Sequence, residues 1–192
     1  NANTIIYVGG ISPRLEGEEM KVNVEGFKGG DRTSIELPKA QRDMIAMLKE
    51  AGKKVIFINC SGSAIAMEPE SRNCEAIMQA WYGGERGGEA VADILFGDYN
   101  PSGKLPITFY KNDSQLPDFE DYKMTGRTYR YFKGEPLFKF GHGLSYTTFE
   151  FSKPKYDKKS GKVSVKVKNA GKMDGDEVVQ VYLRNTADAE GP

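Results

Sequence analysis

Three carboxylates crowd the stretch Leu15-Glu16-Gly17-Glu18-Glu19-Met20, and they are well equipped for acid–base chemistry. Carboxylates this close repel one another, so protonating one relieves the others. A carboxyl held protonated near neutral pH can then act as a general acid. A solvated acidic loop is the competing reading, and spacing alone favours it, because perturbed acids are a minority even in clefts. Gly83-Gly-Glu-Arg-Gly-Gly88 offers backbone N–H groups to a phosphate ahead of a helix. It lacks the Lys-Ser/Thr ending of a P-loop and the register of a dinucleotide fingerprint, so glycines for close helix–strand packing explain it better. Asp174-Gly-Asp-Glu177 has neither the length nor the spacing of a calcium loop and reads as a turn. His142 is the single histidine, with no nucleophile placed near it by a motif, and reads as a packed or exposed loop residue. The aromatics from Tyr122 to Tyr146 suit stacking on sugar rings, and suit equally well pinning a loop to a domain face.

The elements that must position these groups alternate in the first half. Thr4-Ile-Ile-Tyr-Val8, closed by Gly9-Gly10, suits a buried strand. Residues 11–37 show no periodicity and read as one long loop, a type that is uncommon in compact domains and often functional. Pro38 opens a helix through about Ala51, with Met44, Ile45 and Leu48 on one face, and Gly52 stops it. Val55-Ile-Phe-Ile58 is a second buried-type strand, and Ala76–Trp81 a third for which a helix is the alternative. A helix follows near Glu89–Phe96 with Ala90, Ile94 and Leu95 inward. This order predicts an α/β layer with mainly parallel strands. In such sheets ligands gather at loops beyond the strand C-termini, where the acidic stretch lies.

After Gly97 the texture changes. Leu105–Phe109 reads as a short edge strand because of Pro106. Residues 111–146 are polar and aromatic and read as a connector. From Phe149 the signal is β: Val163, Val165 and Val167 alternate with polar residues, and Glu177–Leu183 gives another strand. About three strands fall short of the roughly seven that a sandwich needs, so the chain is expected to stop in mid-domain. Such a cut exposes sheet edge, and self-association of the chain is expected. The organisation read here is therefore residues 1–110, a connector at 111–146, and an incomplete β-domain at 147–192.

With 192 residues, 27 Lys+Arg balanced by 27 Asp+Glu and 39% hydrophobic residues, the composition is globular and rules out wholesale disorder. A net charge of zero gives no electrostatic footprint for nucleic acid or an anionic membrane. No apolar run approaches the roughly 20 residues of a transmembrane helix. Cys60 and Cys74 are too few for a disulfide framework, and one histidine makes a zinc cluster implausible; no metal is expected. The N-terminus lacks both an initiator Met and the basic start of a signal peptide, as expected of a piece of a longer chain.

Taken together, several long strings resemble the C-terminal part of glycoside hydrolase family 3, the β-glucosidase and β-xylosidase family. They are Leu15-Glu-Gly-Glu-Glu19, Gly29-Gly-Asp-Arg32, Ala80-Trp-Tyr-Gly83, Leu95-Phe-Gly-Asp-Tyr-Asn-Pro-Ser-Gly-Lys-Leu-Pro106, Gly126-Arg-Thr-Tyr-Arg-Tyr131 and Phe140-Gly-His-Gly-Leu-Ser-Tyr-Thr-Thr-Phe149. His142 departs from the pattern, in which Tyr is usual between the two glycines. The resemblance implies part of an α/β sandwich followed by the opening strands of a fibronectin-III-like domain, with the catalytic barrel missing. It implies retaining hydrolysis of a β-linked oligosaccharide or glycoside without a cofactor, in a periplasmic or secreted enzyme. The acid/base glutamate, which in the family precedes an Asp-Arg pair, falls on Glu18, with Glu19 as rival. Glu16, Glu19 and Met20 fall beside the substrate. Without the barrel nucleophile, the fragment alone is expected to be inactive.

Overall fold

Strand geometry begins almost at once, in β1 (Thr4–Gly10), and the chain then alternates through α1 (Pro13–Glu16), the short strands β2 (Phe27–Lys28) and β3 (Asp31–Arg32), α2 (Lys39–Glu50), β4 (Lys54–Cys60), α3 (Glu68–Asn73) and β5 (Ala76–Gln79). The computed structural model describes residues 2–17 and 20–187. By their contacts these fall into two units, one comprising residues up to Gly87 with Pro106–Phe140, the other Gly88–Leu105 with the residues from Gly141 onward.

In the first unit β1, β4 and β5 form a parallel sheet with β4 central. Thr4 pairs with Lys54 through to Gly10 with Cys60, and Ile56 with Ala76 through to Asn59 with Gln79. The parallel α/β layer expected from the element order is therefore present. A strand flanked on both sides must be apolar, and Val55, Phe57 and Ile58 of β4 are fully buried. Helix α2 packs on β1 and β4 through Ile45, while Met44, expected inward, is 46% exposed. The inner face runs instead through Gln41, Ile45 and Leu48. A polar residue is tolerated there because Gln41 has two buried partners: its Nε2 donates to the Gly10 carbonyl at 2.6 Å and its Oε1 accepts from the Gly10 N–H at 2.7 Å.

Residues 11–37 are not one loop. Ser12 caps α1, its Oγ accepting from Leu15 N–H at 3.2 Å, and Gly17 ends it in the left-handed conformation. The β2–β3 hairpin turns on Gly29 and Gly30, with φ of 63° and 93°. Sequence periodicity also missed α3. Leu105–Phe109 is not a strand; Phe109 alone bridges Phe138. The 106–140 segment is pinned by aromatics, with Phe109 fully buried, 6.2 Å from the Trp81 ring and 6.4 Å from that of Phe138. Further on, α5 (Thr128–Tyr131) carries Tyr129, stacked 4.4 Å from Phe140. Cys60 ends β4, whereas Cys74 precedes β5, whose neighbour Glu75 bonds Val55 near the start of β4. The two thiols are free and lie at opposite ends of the sheet. Burial pushes the Cys74 thiol up to about 11.

The second unit begins with α4, which spans Gly87–Phe96; Ala90, expected inward, is exposed. Buried Asn100 is the hub, donating to the Asp174 carbonyl at 2.9 Å and accepting from Ser145 Oγ at 3.0 Å and Tyr146 N–H at 2.7 Å. Strands β6 (Phe149–Phe151) and β9 (Val167–Asn169) pair antiparallel, as do β7 (Lys155–Asp157) and β8 (Lys162–Ser164). The single strand expected over Val163–Val167 is broken into β8 and β9. Opposite the break lies Pro154, which has no N–H to continue the ladder. Glu177–Leu183, expected as a strand, has no strand partner among the described residues and is not one. Among the described residues no helix is long and apolar enough to cross a membrane.

Candidate functional site

The C-terminal ends of the three parallel strands gather the polar groups of the first unit, as the rule for open α/β sheets anticipates. Beyond the apolar run of β4, Asn59 is buried and faces Gln79 on β5, its Nδ2 donating to Gln79 Oε1 at 2.6 Å. Ser61 joins them, accepting from Gln79 Nε2 at 3.1 Å and donating to the Ser63 carbonyl at 2.8 Å. This network fixes the turn after β4. Beside it Ile11 N–H donates to the Cys60 carbonyl at 2.9 Å, so the chain leaving β1 is tied to the same edge.

Glu16 ends α1 at this edge. Its carboxylate and the Tyr82 ring occupy the space over Gly62: a Cβ there would lie 2.9 Å from Tyr82 Cε2 and 3.5 Å from Glu16 Oε2. A side chain at residue 62 would push the Tyr82 ring aside. The Tyr82 hydroxyl donates to the Ile11 carbonyl at 2.7 Å, and the ring lies beside the Glu16 carboxylate. Burial and then the Glu16 carboxylate raise the Tyr82 pKa. Arg32, from β3, reaches the same turn, donating to Ser63 Oγ at 2.8 Å, the Ala64 carbonyl at 3.2 Å and, through Nε, the Ser34 carbonyl at 3.1 Å. Its Nη2 is buried without an acceptor among the described residues. Burial lowers the Arg32 pKa, opposed by the charges of Glu16 and Asp113. Trp81, just before Tyr82, has φ of 56°, a left-handed conformation unusual for a bulky residue and often found at functional sites.

Of the residues singled out in the sequence, Glu16 is in this cluster and Met20 is half exposed just beyond it. Glu18 and Glu19 lie outside the described residues. Tyr82, Gly62 and Ser63 were not found from the sequence; the available signal was an aromatic pair directly after an apolar strand. The Gly83–Gly88 segment folds as a tight turn, Gly87 N–H donating to the Gly84 carbonyl at 2.9 Å, and a Cβ on Gly83 would lie 2.9 Å from Gly87 Cα. Asp174–Glu177 is structural: Asp174 accepts from Asn100, and Glu177 pairs with Lys104 at 3.1 Å.

Residues 1–146 match the family model described as the glycosyl hydrolase family 3 C-terminal domain. The chain is 61% identical over 194 aligned positions to a xylan 1,4-β-xylosidase of Xylanibacter ruminicola, covering 99% of the chain and 22% of that protein. It is 42% identical to a periplasmic β-glucosidase of Salmonella typhimurium, covering 82% of the chain and 23% of that protein. A solved GH3 exo-β-xylosidase, in complex with a xylobiose aziridine activity-based probe, superposes with a TM-score of 0.66 at 34% identity, over 79% of the chain and 20% of its own. The chain thus spans about a fifth of the length of the curated relatives it matches. Motif strings, sheet and family model agree over most of the chain, which belongs to glycoside hydrolase family 3 as a bearer of its C-terminal domain.

Proposed function

We propose that the chain is the C-terminal part of a retaining, exo-acting β-glycosidase that removes terminal non-reducing sugars, β-xylosides in preference to β-glucosides. The likeness to a xylan 1,4-β-xylosidase along nearly the whole chain carries this reading. Glu18 is the proposed acid/base, with Glu19 its rival one residue on, and Glu16, Glu19 and Met20 border the sugar. An aspartate outside these 192 residues attacks the anomeric carbon while Glu18 protonates the departing glycosidic oxygen. The resulting glycosyl-enzyme is opened by water, whose proton returns to Glu18, and the sugar leaves with its β configuration. The two carboxyls of a retaining pair stand about 5–5.5 Å apart, so the acid must be brought to the nucleophile with precision. Carrying it on a loop at a sheet's C-terminal edge supports that reading, because such a loop can close over the sugar and exclude water.

The proposed organisation is a sandwich part at residues 1–110, a connector at 111–146 and the start of a fibronectin-III-like domain at 147–192. The short antiparallel pairs β6–β9 and β7–β8 are compatible with that last assignment. A periplasmic or secreted location fits the periplasmic relative. The chain alone is proposed to be inactive and to self-associate through its open sheet edges. The full-length gene product, assayed on aryl β-xyloside and aryl β-glucoside, tests the reading: turnover of the xyloside at the higher kcat/KM supports it. Sugar binding with no hydrolysis of either substrate replaces it with a non-catalytic carbohydrate-binding or scaffolding module.

A further inference from the structure

We infer that Tyr82, acting with Glu16 and Arg32, is a positioning residue that fixes the root of the loop presenting the acid/base carboxyl. This rests on the functional reading above. Helix α1 has four residues, too few to hold itself together in water, so something outside it must fix where the chain turns at Gly17. The Tyr82 hydroxyl donates its one proton to the Ile11 carbonyl before α1, and its ring shares the space over Gly62 with the Glu16 carboxylate at the end of α1. Tyr82 thereby fastens the chain entering the short helix and flanks the residue that ends it. Its ring and the Glu16 carboxylate rest on Gly62, the residue that leaves room for both.

The far side of the loop is tied to the same place. Arg32 donates to Ser63 and Ala64, in the turn that also contains Gly62, and its charge faces Glu16. Both ends of the segment between Glu16 and Arg32 are therefore fastened to one short turn after β4. That turn is itself held by the Asn59–Ser61–Gln79 network. A loop with its ends held together in this way has little freedom at its root, and small displacements there are carried to the carboxyl it presents. Arg32 Nη2 lacks an acceptor among the described residues, so loss of the Glu16 charge leaves the guanidinium further uncompensated.

Hydrogen exchange on the 192-residue chain tests the clamp without any appeal to activity. Tyr82→Phe keeps the ring on Gly62 and removes the hydroxyl. It should speed exchange of the Gly17 and Thr33 amides, which bond Pro13 and Gly26, by roughly tenfold, the scale of one ordinary net hydrogen bond. The amides of β4 should be unchanged. Glu16→Gln, which keeps the size and removes the charge, should act in the same sense. Unchanged exchange at Gly17 and Thr33 overturns the clamp, and so does equal acceleration in β4, which would make Tyr82 a general core residue. In the full-length enzyme Tyr82→Phe should lower kcat by up to the roughly 10²-fold that a misplacement of about 1 Å costs, and should shift the alkaline limb of the pH profile with little change in KM. A raised KM with kcat unmoved would overturn positioning in favour of direct sugar contact. Failure of the acid/base reading is visible separately, as absence of nucleophile rescue in Glu18→Ala while the exchange result in the chain stands.

Discussion

Arg42 on α2 and Glu70 on α3 form a two-point contact, Nε to Oε1 at 2.9 Å and Nη2 to Oε2 at 3.4 Å, with the Glu70 side chain only 1% exposed. Arg42 also reaches Glu36 at 2.8 Å and the Ala66 carbonyl at 3.0 Å. These partners raise the Arg42 pKa although burial alone would lower it. The pair fastens the β4–β5 crossover to the helix that covers the sheet.

Removing one partner of such a pair leaves the other charge buried. Arg42→Ala strands the Glu70 carboxylate and should cost about 3–5 kcal/mol of stability. Glu70→Gln should cost less, about 1–2 kcal/mol, because Arg42 is a quarter exposed and keeps Glu36 and Ala66. Urea denaturation of the two variants checks the order. Equal costs would show that the lost packing of the side chain, and not the stranded charge, dominates.

That same contact explains why α3 was not legible in the sequence. Glu68-Pro-Glu-Ser-Arg-Asn73 has no apolar periodicity, and its helix is held by an ion pair to residue 42, which no local pattern reports. Helix α2 and strands β1 and β4 were legible because Pro38, Ile45 and the runs Thr4–Val8 and Val55–Ile58 each carry a local signature, whereas Ala76–Trp81, which holds β5, reads as a strand with a helix as the alternative. The β2–β3 hairpin does have a local signal: Gly29-Gly30 between Phe27-Lys28 and Asp31-Arg32 is a two-residue turn demanding positive φ. Glu177–Leu183 carried strand composition without a strand, since a strand exists only by pairing with a neighbour. In the candidate site, Glu16 was legible as a carboxylate, but Tyr82 joins it from 66 positions further along the chain, a proximity set by the parallel register of β1, β4 and β5.

Gly10 and Gly52 separate backbone conformation from crowding. Both have positive φ, 115° and 70°. A Cβ at Gly10 would meet the Cys60 carbonyl and come within 2.7 Å of Asn59 Oδ1, whereas no atom of the described residues lies within 4 Å at Gly52. Gly52→Ala should cost about 1–2 kcal/mol, the strain of a left-handed Ala. Gly10→Ala should cost more, at least about 3 kcal/mol, because β1 must shift from β4 where the polar network begins. Thermal melts of the two variants give the comparison; equal shifts would show that the β1 end relaxes freely.

His142 titrates to the disadvantage of the folded state in acid. Partial desolvation and then the Lys104 charge lower its pKa below the ordinary 6.5. Lys104 stays beside it, bonded to the Gly143 carbonyl and paired with Glu177. Between the lowered folded pKa and 6.5 the unfolded chain binds more protons, so this contribution to stability is intact above about pH 6.5 and is lost as pH falls through the folded value. His142→Tyr removes the titration and installs the residue usual in the family pattern. The melting temperature of the wild type should therefore fall further between pH 7 and pH 5 than that of the variant. Parallel curves would show that His142 gains no proton on unfolding.

Glu18→Ala in the full-length enzyme should remove the proton donor and leave the nucleophile in place. With a leaving group that needs protonation, the rate should fall by the roughly 10²–10⁴-fold that general acid catalysis supplies. An aryl glycoside with an acidic phenol needs no such help, so the glycosyl-enzyme should still form quickly, giving a burst of phenol. Deglycosylation should then stall, because no base draws the proton from water. Azide attacks without a base, so adding it should restore turnover and yield a β-glycosyl azide. Glu19→Ala, one residue beyond, should show neither the burst nor the rescue and should change mainly KM. Rescue of the Glu19 variant in place of the Glu18 variant would move the acid/base role one residue on. Rescue of neither would return both carboxylates to the solvated acidic loop that their spacing alone suggests.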